Sequence, residues 1–202
     1  ELKQLGEICE ISRGGSPRPI KEFITEDSDG INWIKIGDTK DINKYIYRTK
    51  EKIKPEGVKY SREVKEGDFI LSNSMSFGKP YIMKTSGCIH DGWLLLRRKD
   101  NSISEDYLYT VLSSDFIYKF FQKETIGGVV ENLNIELVKK VRIPVPPLNI
   151  QMEVSEKLDT AIFEKEELER KAELVLRNAK KDIELILLGE DDEIWWCSKW
   201  FL

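Results

Sequence analysis

The side chains best suited to chemistry are bases and small polar groups set among glycines, in four segments. The first is Arg13-Gly14-Gly15-Ser16-Pro17-Arg18. Glycines let backbone N–H groups approach a phosphate, and an arginine fork matches the O6 and N7 acceptors of guanine. The second, Lys35-Ile36-Gly37-Asp38-Thr39-Lys40, closes an apolar run. The third is Ser72-Asn73-Ser74-Met75-Ser76-Phe77-Gly78-Lys79. Its hydroxyls suit phosphate, its amide suits adenine, and its Phe77 suits stacking or wedging between bases. The fourth runs from Thr125 through Gly127-Gly128 to Asn132 and Asn134. The candidate contacts are Arg13, Ser16, Arg18, Lys35, Lys40, Asn73, Ser74, Ser76, Lys79 and Asn132. Taken singly, each segment reads first as an ordinary surface turn, because composition does not disclose loop function.

Catalytic chemistry finds fewer supports. A Ser-His-Asp arrangement would have to use His90, the single histidine, and His90-Asp91-Gly92 reads as a structural turn at a strand entry. No P-loop pattern occurs, and no GxGxxG follows an apolar run. The Gly-rich cofactor loop and the Asn-Pro-Pro-aromatic motif of an adenine methyltransferase are missing; Asn149 follows Pro146-Pro147, the wrong order. Cys9, Cys88 and Cys197 are widely spaced with no CxxC pair, so neither a zinc site nor a disulfide framework is expected, and a reducing cytoplasm is. No apolar run is long enough for a bilayer, so no membrane association is expected.

Charge is distributed unevenly. The whole chain carries −4, but residues 1–147 hold 24 basic and 22 acidic side chains, against 8 and 14 in residues 148–202. Residues 35–65 hold ten Lys or Arg against five Asp or Glu. Such a local excess matters more to phosphate than the total does. Charge alone still does not favour DNA binding, because DNA-binding domains are typically more basic.

The elements that must position these segments follow from period and punctuation. Residues 31–36, 68–72, 81–83 and 93–97 are apolar runs bounded by Gly, Pro, Asn or Asp, and they predict strands. Ser104-Glu105-Asp106 predicts a helix start, with a helix through Leu108, Val111 and Leu112 and another through Ile117, Phe120 and Phe121. Val141-Arg142-Ile143-Pro144-Val145-Pro146-Pro147 must be extended. The expected fold is α/β (α+β): a mixed-sheet globular domain over 1–147, a long helix over 148–188 and an acidic-aromatic tail over 189–202.

Stepping alternately four and three residues along that helix gives Val154, Leu158, Ala161, Lys165, Leu168, Ala172, Val175, Ala179, Asp182 and Ile186, eight of ten apolar. This is a coiled-coil seam, interrupted by Lys165 and Asp182. Packing on its own domain is the alternative. About 40 residues make about 60 Å of helix, longer than a small domain needs, which favours a partner helix.

In order, these segments resemble a known family. Leu5-Gly6-Glu7-Ile8 followed by Arg13-Gly14-Gly15-Ser16-Pro17 opens like a target recognition domain of a type I restriction–modification specificity subunit. Trp33-Ile34-Lys35-Ile36-Gly37-Asp38 is similar to its W-[IV]-x-[IV]-x-D strand, and Gly67-Asp68-Phe69-Ile70 to its G-D-[IVL]-[IVL] turn. Asn132-Leu133-Asn134, Ile143-Pro144-Val145-Pro146-Pro147-Leu148, Gln151 and Glu153-Val154 resemble its closing signature.

The resemblance implies a curved-sheet domain that reads one half of a split double-stranded DNA target and does no catalysis itself. It implies helices that dock an adenine-N6 methyltransferase subunit, which flips its base and uses S-adenosylmethionine. It also implies a restriction/translocase subunit using Mg/ATP; this chain would bind no cofactor. A full specificity subunit has two such domains, and this chain has one. It therefore resembles a half-subunit, a fragment or the end of a fused methyltransferase. Two copies pairing through residues 154–186 as a homodimer would restore two-fold geometry and predict a palindromic split target. The acidic total suggests a different class as the alternative, a coiled-coil scaffold without DNA binding.

Overall fold

The computed structural model describes residues 1–40, 42–73, 78–126 and 133–188. Ser74, Ser76, Phe77, Asn132 and the tail 189–202 lie outside the described residues. Among the described residues the strands fall into two five-stranded sheets and a two-stranded ribbon, numbered here in chain order. The ribbon pairs β1 (Leu2–Gln4) with β12 (Arg142–Pro144), antiparallel. One sheet runs β2 (Cys9–Arg13), β11 (Trp93–Arg98), β8 (Phe69–Ser72), β9 (Pro80–Met83), β5 (Tyr45–Ile46). The other runs β3 (Ile24–Thr25), β6 (Glu51–Ile53), β4 (Ile31–Ile34), β10 (Gly87–Ile89), β7 (Arg62–Val64). Each sheet contains one parallel pair, β5 with β9 and β4 with β10. The helices are α1 (Leu5–Ile8), α2 (Ile20–Phe23), α3 (Glu105–Leu112), α4 (Asp115–Ile126), α5 (Ile135–Lys140) and α6 (Leu148–Leu188).

Strands β8 and β9 are buried at every position, which is why their sequences run apolar without alternation. One core cluster draws on both sheets: Ile70, Met83, Trp93 and Leu95 from one, Ile34 and Ile89 from the other. Trp33, Ile53 and Cys88 form a second cluster under Ile20 and Ile24. Burial pushes the Cys9 thiol up to about 12 and the Cys88 thiol up to about 11, so both are inert free thiols.

The Gly67-Asp68 turn enters β8 with Gly67 at φ 83°, a left-handed geometry that suits glycine. Asp68 is almost fully buried and takes two hydrogen bonds from the Arg97 guanidinium, Nε to Oδ1 at 2.8 Å and Nη2 to Oδ2 at 2.5 Å. This charge pairing fixes the turn inside the domain; the motif residue is not exposed to a ligand. The predicted strand 31–36 stops at Ile34, and Ile36–Thr39 form a 3-10 turn instead. Asp38 decides this, because its Oδ2 accepts the Lys35 N–H at 2.9 Å and curls the chain. Ser104 caps α3 as expected, accepting the Tyr107 N–H at 3.2 Å. Thr125 and Ile126 end α4 rather than opening a loop.

The chain divides into two compact units, Glu1–Ser155 and Glu156–Leu202, so residues 148–155 of α6 belong with the sheets. Their anchor is Gln151, fully buried. Its Oε1 accepts the Ser104 N–H at 2.9 Å, and its Nε2 donates to Ser102 O at 2.9 Å and Pro146 O at 2.8 Å. Tyr107 donates to Pro144 O at 3.0 Å, holding the extended proline segment that precedes the helix.

From residue 156 on, α6 has no buried side chain among the described residues. Of the seam residues, Leu168 and Val175 are exposed at 65% and 68%, Val154, Ala161, Ala172 and Ala179 are exposed, and Leu158 and Ile186 are half-buried. Ile162, Leu176 and Ile183 sit one residue past seam positions and widen the stripe to a face suited to bundle packing. Lys165 pairs with Glu169 at 3.3 Å along the helix surface.

Replacing Gln151 with Ala strands one donor and two acceptors in the domain interior. The expected result is a loss of about 2–3 kcal/mol of unfolding free energy, measured by chemical denaturation. A loss within error of zero would mean that the anchor is not needed.

Candidate nucleic-acid interface

Strand β10 lies in one sheet and β11 in the other, and the chain crosses between them at His90-Asp91-Gly92. The roots of three polar segments are tied to this crossing or its flanking strand ends, and the described end of the fourth is tied to the third. Gly14 N–H donates to Trp93 O at 2.9 Å and Gly15 N–H to Ile89 O at 3.1 Å. Ile36 N–H faces His90 Nε2 at 3.2 Å. Asn73 N–H donates to Gly92 O at 3.0 Å, and Leu133 N–H donates to Asn73 O at 3.0 Å. The glycines expected to offer N–H groups to phosphate therefore spend them inside the protein. Close approach is why they are glycines: a Cβ on Gly14 would lie 2.1 Å from His90 O, and one on Gly15 2.7 Å from Tyr60 O.

Asp91 collects side chains from two of these segments. Ser16 Oγ donates to Oδ1 at 2.8 Å and Arg18 Nη2 to Oδ2 at 3.3 Å. The Asp91 carbonyl accepts Arg13 Nε at 3.2 Å and Asn73 Nδ2 at 3.0 Å. The Ser16 hydroxyl foremost, against the cost of partial burial, holds the Asp91 carboxyl below its ordinary value. Beside it lies an open cleft of about 640 Å³, walled by Pro17, Arg18, Ile20, Trp33, Lys35 and His90.

His90 packs between two indoles, with ring centroids 6.2 Å from Trp33 and 6.3 Å from Trp93. Its Nδ1 faces Gly92 N–H at 2.6 Å while Nε2 faces Ile36 N–H. A neutral imidazole can accept at one nitrogen only, and a protonated ring at neither. Burial foremost lowers the His90 pKa, which agrees with a neutral ring. Its surroundings are those of a structural wedge rather than a base aimed at a substrate.

The structure thus brings Arg13, Ser16, Arg18 and Asn73 together on Asp91, with Lys35 at the cleft. Asn73 is fully buried, and its amide supports the turn. Lys35 is ion-paired with Glu51. Lys40 and Lys79 are exposed, make no hydrogen bond to Asp91, and carry no ion pair among the described residues. The residue that sequence reasoning missed is Asp91. Its only signal was its place between a histidine and a glycine, which reads as a turn and says nothing of what the turn holds.

A family model described as the type I restriction modification DNA specificity domain matches residues 1–176. This chain belongs to that family. Solved structures are similar in fold. One, from a study of complex assembly and conformational transition of the type I R-M system, has a TM-score of 0.71 at 20% identity, over 90% of this chain and 43% of that one. The HsdS subunit from Thermoanaerobacter tengcongensis has a TM-score of 0.65 at 20% identity, over 85% of this chain and 39% of that one. The type I system S subunit from M. genitalium has a TM-score of 0.57 at 15% identity, over 89% and 44%. This chain spans less than half the length of each.

Within this specificity domain, the family-motif residues Trp33, Asp38, Asp68 and Gln151 hold the scaffold, whereas of the candidate contacts Arg13, Arg18, Lys40 and Lys79 remain exposed on it. Among the described residues no helix is long and apolar enough to cross a membrane.

The His90 shift has a consequence with a definite sign. Below the ordinary histidine value of 6.5 the unfolded chain takes up a proton that the folded chain resists. Stability therefore falls as pH drops through 6.5 towards the depressed folded value. Comparing wild type with His90→Gln by denaturation at about pH 7.5 and about pH 5, the wild-type advantage should shrink at the lower pH. An advantage that grew on acidification would contradict a buried neutral ring.

Proposed function

We propose that this chain is the sequence-reading DNA module of a type I restriction–modification system. It presents the loop face gathered on His90-Asp91-Gly92 to one half of a split double-stranded target and performs no catalysis itself. The observation that supports this most is the convergence of three polar segments on one sheet-to-sheet crossing, with the end of a fourth joined to them through Asn73, in a chain of a DNA specificity family. In this reading the globular domain over 1–147 selects the sequence. The helix over 148–188 docks a methyltransferase subunit that modifies adenine at N6, and a restriction/translocase subunit joins the assembly. S-adenosylmethionine and Mg/ATP then belong to those subunits, and the complex works in the cytoplasm. Arg13, Ser16, Arg18, Lys35, Lys40, Ser74, Ser76, Lys79 and Asn132 are the residues proposed to meet DNA, with Asn73 supporting them.

Disrupting the gene in its host and restoring it should remove and return adenine methylation at one split sequence, read by methylome sequencing. A methylome indifferent to the gene would refute the assignment. If the chain also failed to retard duplex DNA at low salt, the coiled-coil scaffold reading would take its place.

The homodimer is part of the same proposal. Apolar side chains at Leu168 and Val175, exposed along α6, support a helix partner. The double change Leu168→Glu, Val175→Glu should convert a dimer to a monomer in light scattering and abolish two-fold recognition of a palindromic site. A wild type that is monomeric at working concentration would remove this part alone.

A further inference from the structure

Arg18 sits between Pro17 and Pro19. A proline fixes its own φ and keeps the residue before it out of helical geometry, so the backbone at Arg18 has few conformations to lose. The guanidinium meets Asp91 through Nη2 at 3.3 Å, yet the side chain stays 79% exposed. Asp91 is fixed in turn, by the Ser16 hydroxyl on Oδ1 and by Arg13 and Asn73 on its carbonyl. Arg18 is therefore held at one edge, with the rest of its donor fork turned to solvent.

Charge decides what such an arginine serves. A guanidinium beside a carboxylate has little net charge, so the pair attracts phosphate weakly, and the carboxylate oxygens repel it. The remaining N–H donors keep their hydrogen-bonding capacity. A bidentate contact to the O6 and N7 of guanine needs a fork in fixed orientation on a neutral base edge, where a nearby carboxylate costs little. Holding the fork beforehand also lowers the rotamer entropy lost on contact. Lys79, exposed and without an ion pair among the described residues, is of the opposite kind and suits phosphate.

We propose that Arg18 reads a guanine base and that Asp91 is its positioning residue; this rests on the DNA-reading function above. The test takes the full chain in complex with its methyltransferase subunit, retains a duplex pool with randomised positions on it, and sequences what is retained. Wild type should prefer guanine at one position or more. Arg18→Lys keeps the charge and loses the fork, and should cost one of those guanine preferences about ten-fold or more while other positions keep theirs. Asp91→Asn keeps size and an acceptor for Ser16, and should weaken that same preference several-fold. In the Arg18→Lys background, Asp91→Asn should add nothing at that position. Lys79→Ala should lower retention evenly across sequences and make the salt dependence shallower.

An unchanged preference in Arg18→Lys would overturn the base-reading role. A loss in Arg18→Lys without one in Asp91→Asn would overturn the positioning role. If Asp91→Asn flattened every position together and lowered the melting temperature, Asp91 would be a support of the fold and the proposal would fail. A wild-type complex with no preference anywhere would instead bring down the DNA-reading function itself.

Discussion

A chain that passes from one buried sheet to another must carry its polar backbone through the interior, and every donor and acceptor there needs a partner. Here that passage is His90-Asp91-Gly92, between β10 and β11, with Gly92 buried and His90 and Asp91 half-buried. The partners come from the neighbouring segments: glycine N–H groups from one loop, the Asn73 amide from another, and the Ser16 hydroxyl on the carboxylate. Satisfying the crossing and gathering the loops are one event. A loop root that moved would leave a carbonyl or N–H of the crossing without its partner, which favours keeping the roots in place.

Charge pairing then sorts the basic side chains. Arg97 is drawn inward to Asp68, Lys35 is joined to Glu51 and Arg18 to Asp91, while Lys40 and Lys79 stand in solvent. Counting bases along residues 35–65 weights all of them alike, although a paired cation contributes little to the field that a phosphate meets. The near-balance of charge in residues 1–147 is thus partly an internal matter, with several acids consumed in holding arginines and lysines where the fold needs them.

The helix has a similar division of labour. Its start is a piece of the globular domain, fastened by Gln151 to Ser102, Ser104 and Pro146. Beyond residue 155 its character changes to exposed apolar side chains alternating with surface ion pairs such as Arg170 with Glu167. A glutamine near a helix start is unremarkable in sequence; its three partners are brought to it by α3 and the proline segment.

The sequence made local structure legible in the order of its residues: apolar runs between turn residues became β8, β9 and β11, Ser104 capped a helix, and a Gly- and Pro-free stretch became α6. These follow from propensity and period, which act over a few residues. Its ordered motifs also marked the family. The short strands β3, β5, β6, β7 and β10 were not legible, because pairs two or three residues long are set by partners far along the chain. Which polar residues meet depends on the packed fold. Asp91 is one acid among 36, and it becomes the junction of Arg13, Ser16, Arg18 and Asn73 because two sheets exchange the chain at that point. The same crossing turned two glycines from expected phosphate binders into residues of close approach, since contact distance is a property of the packed chain and not of its order.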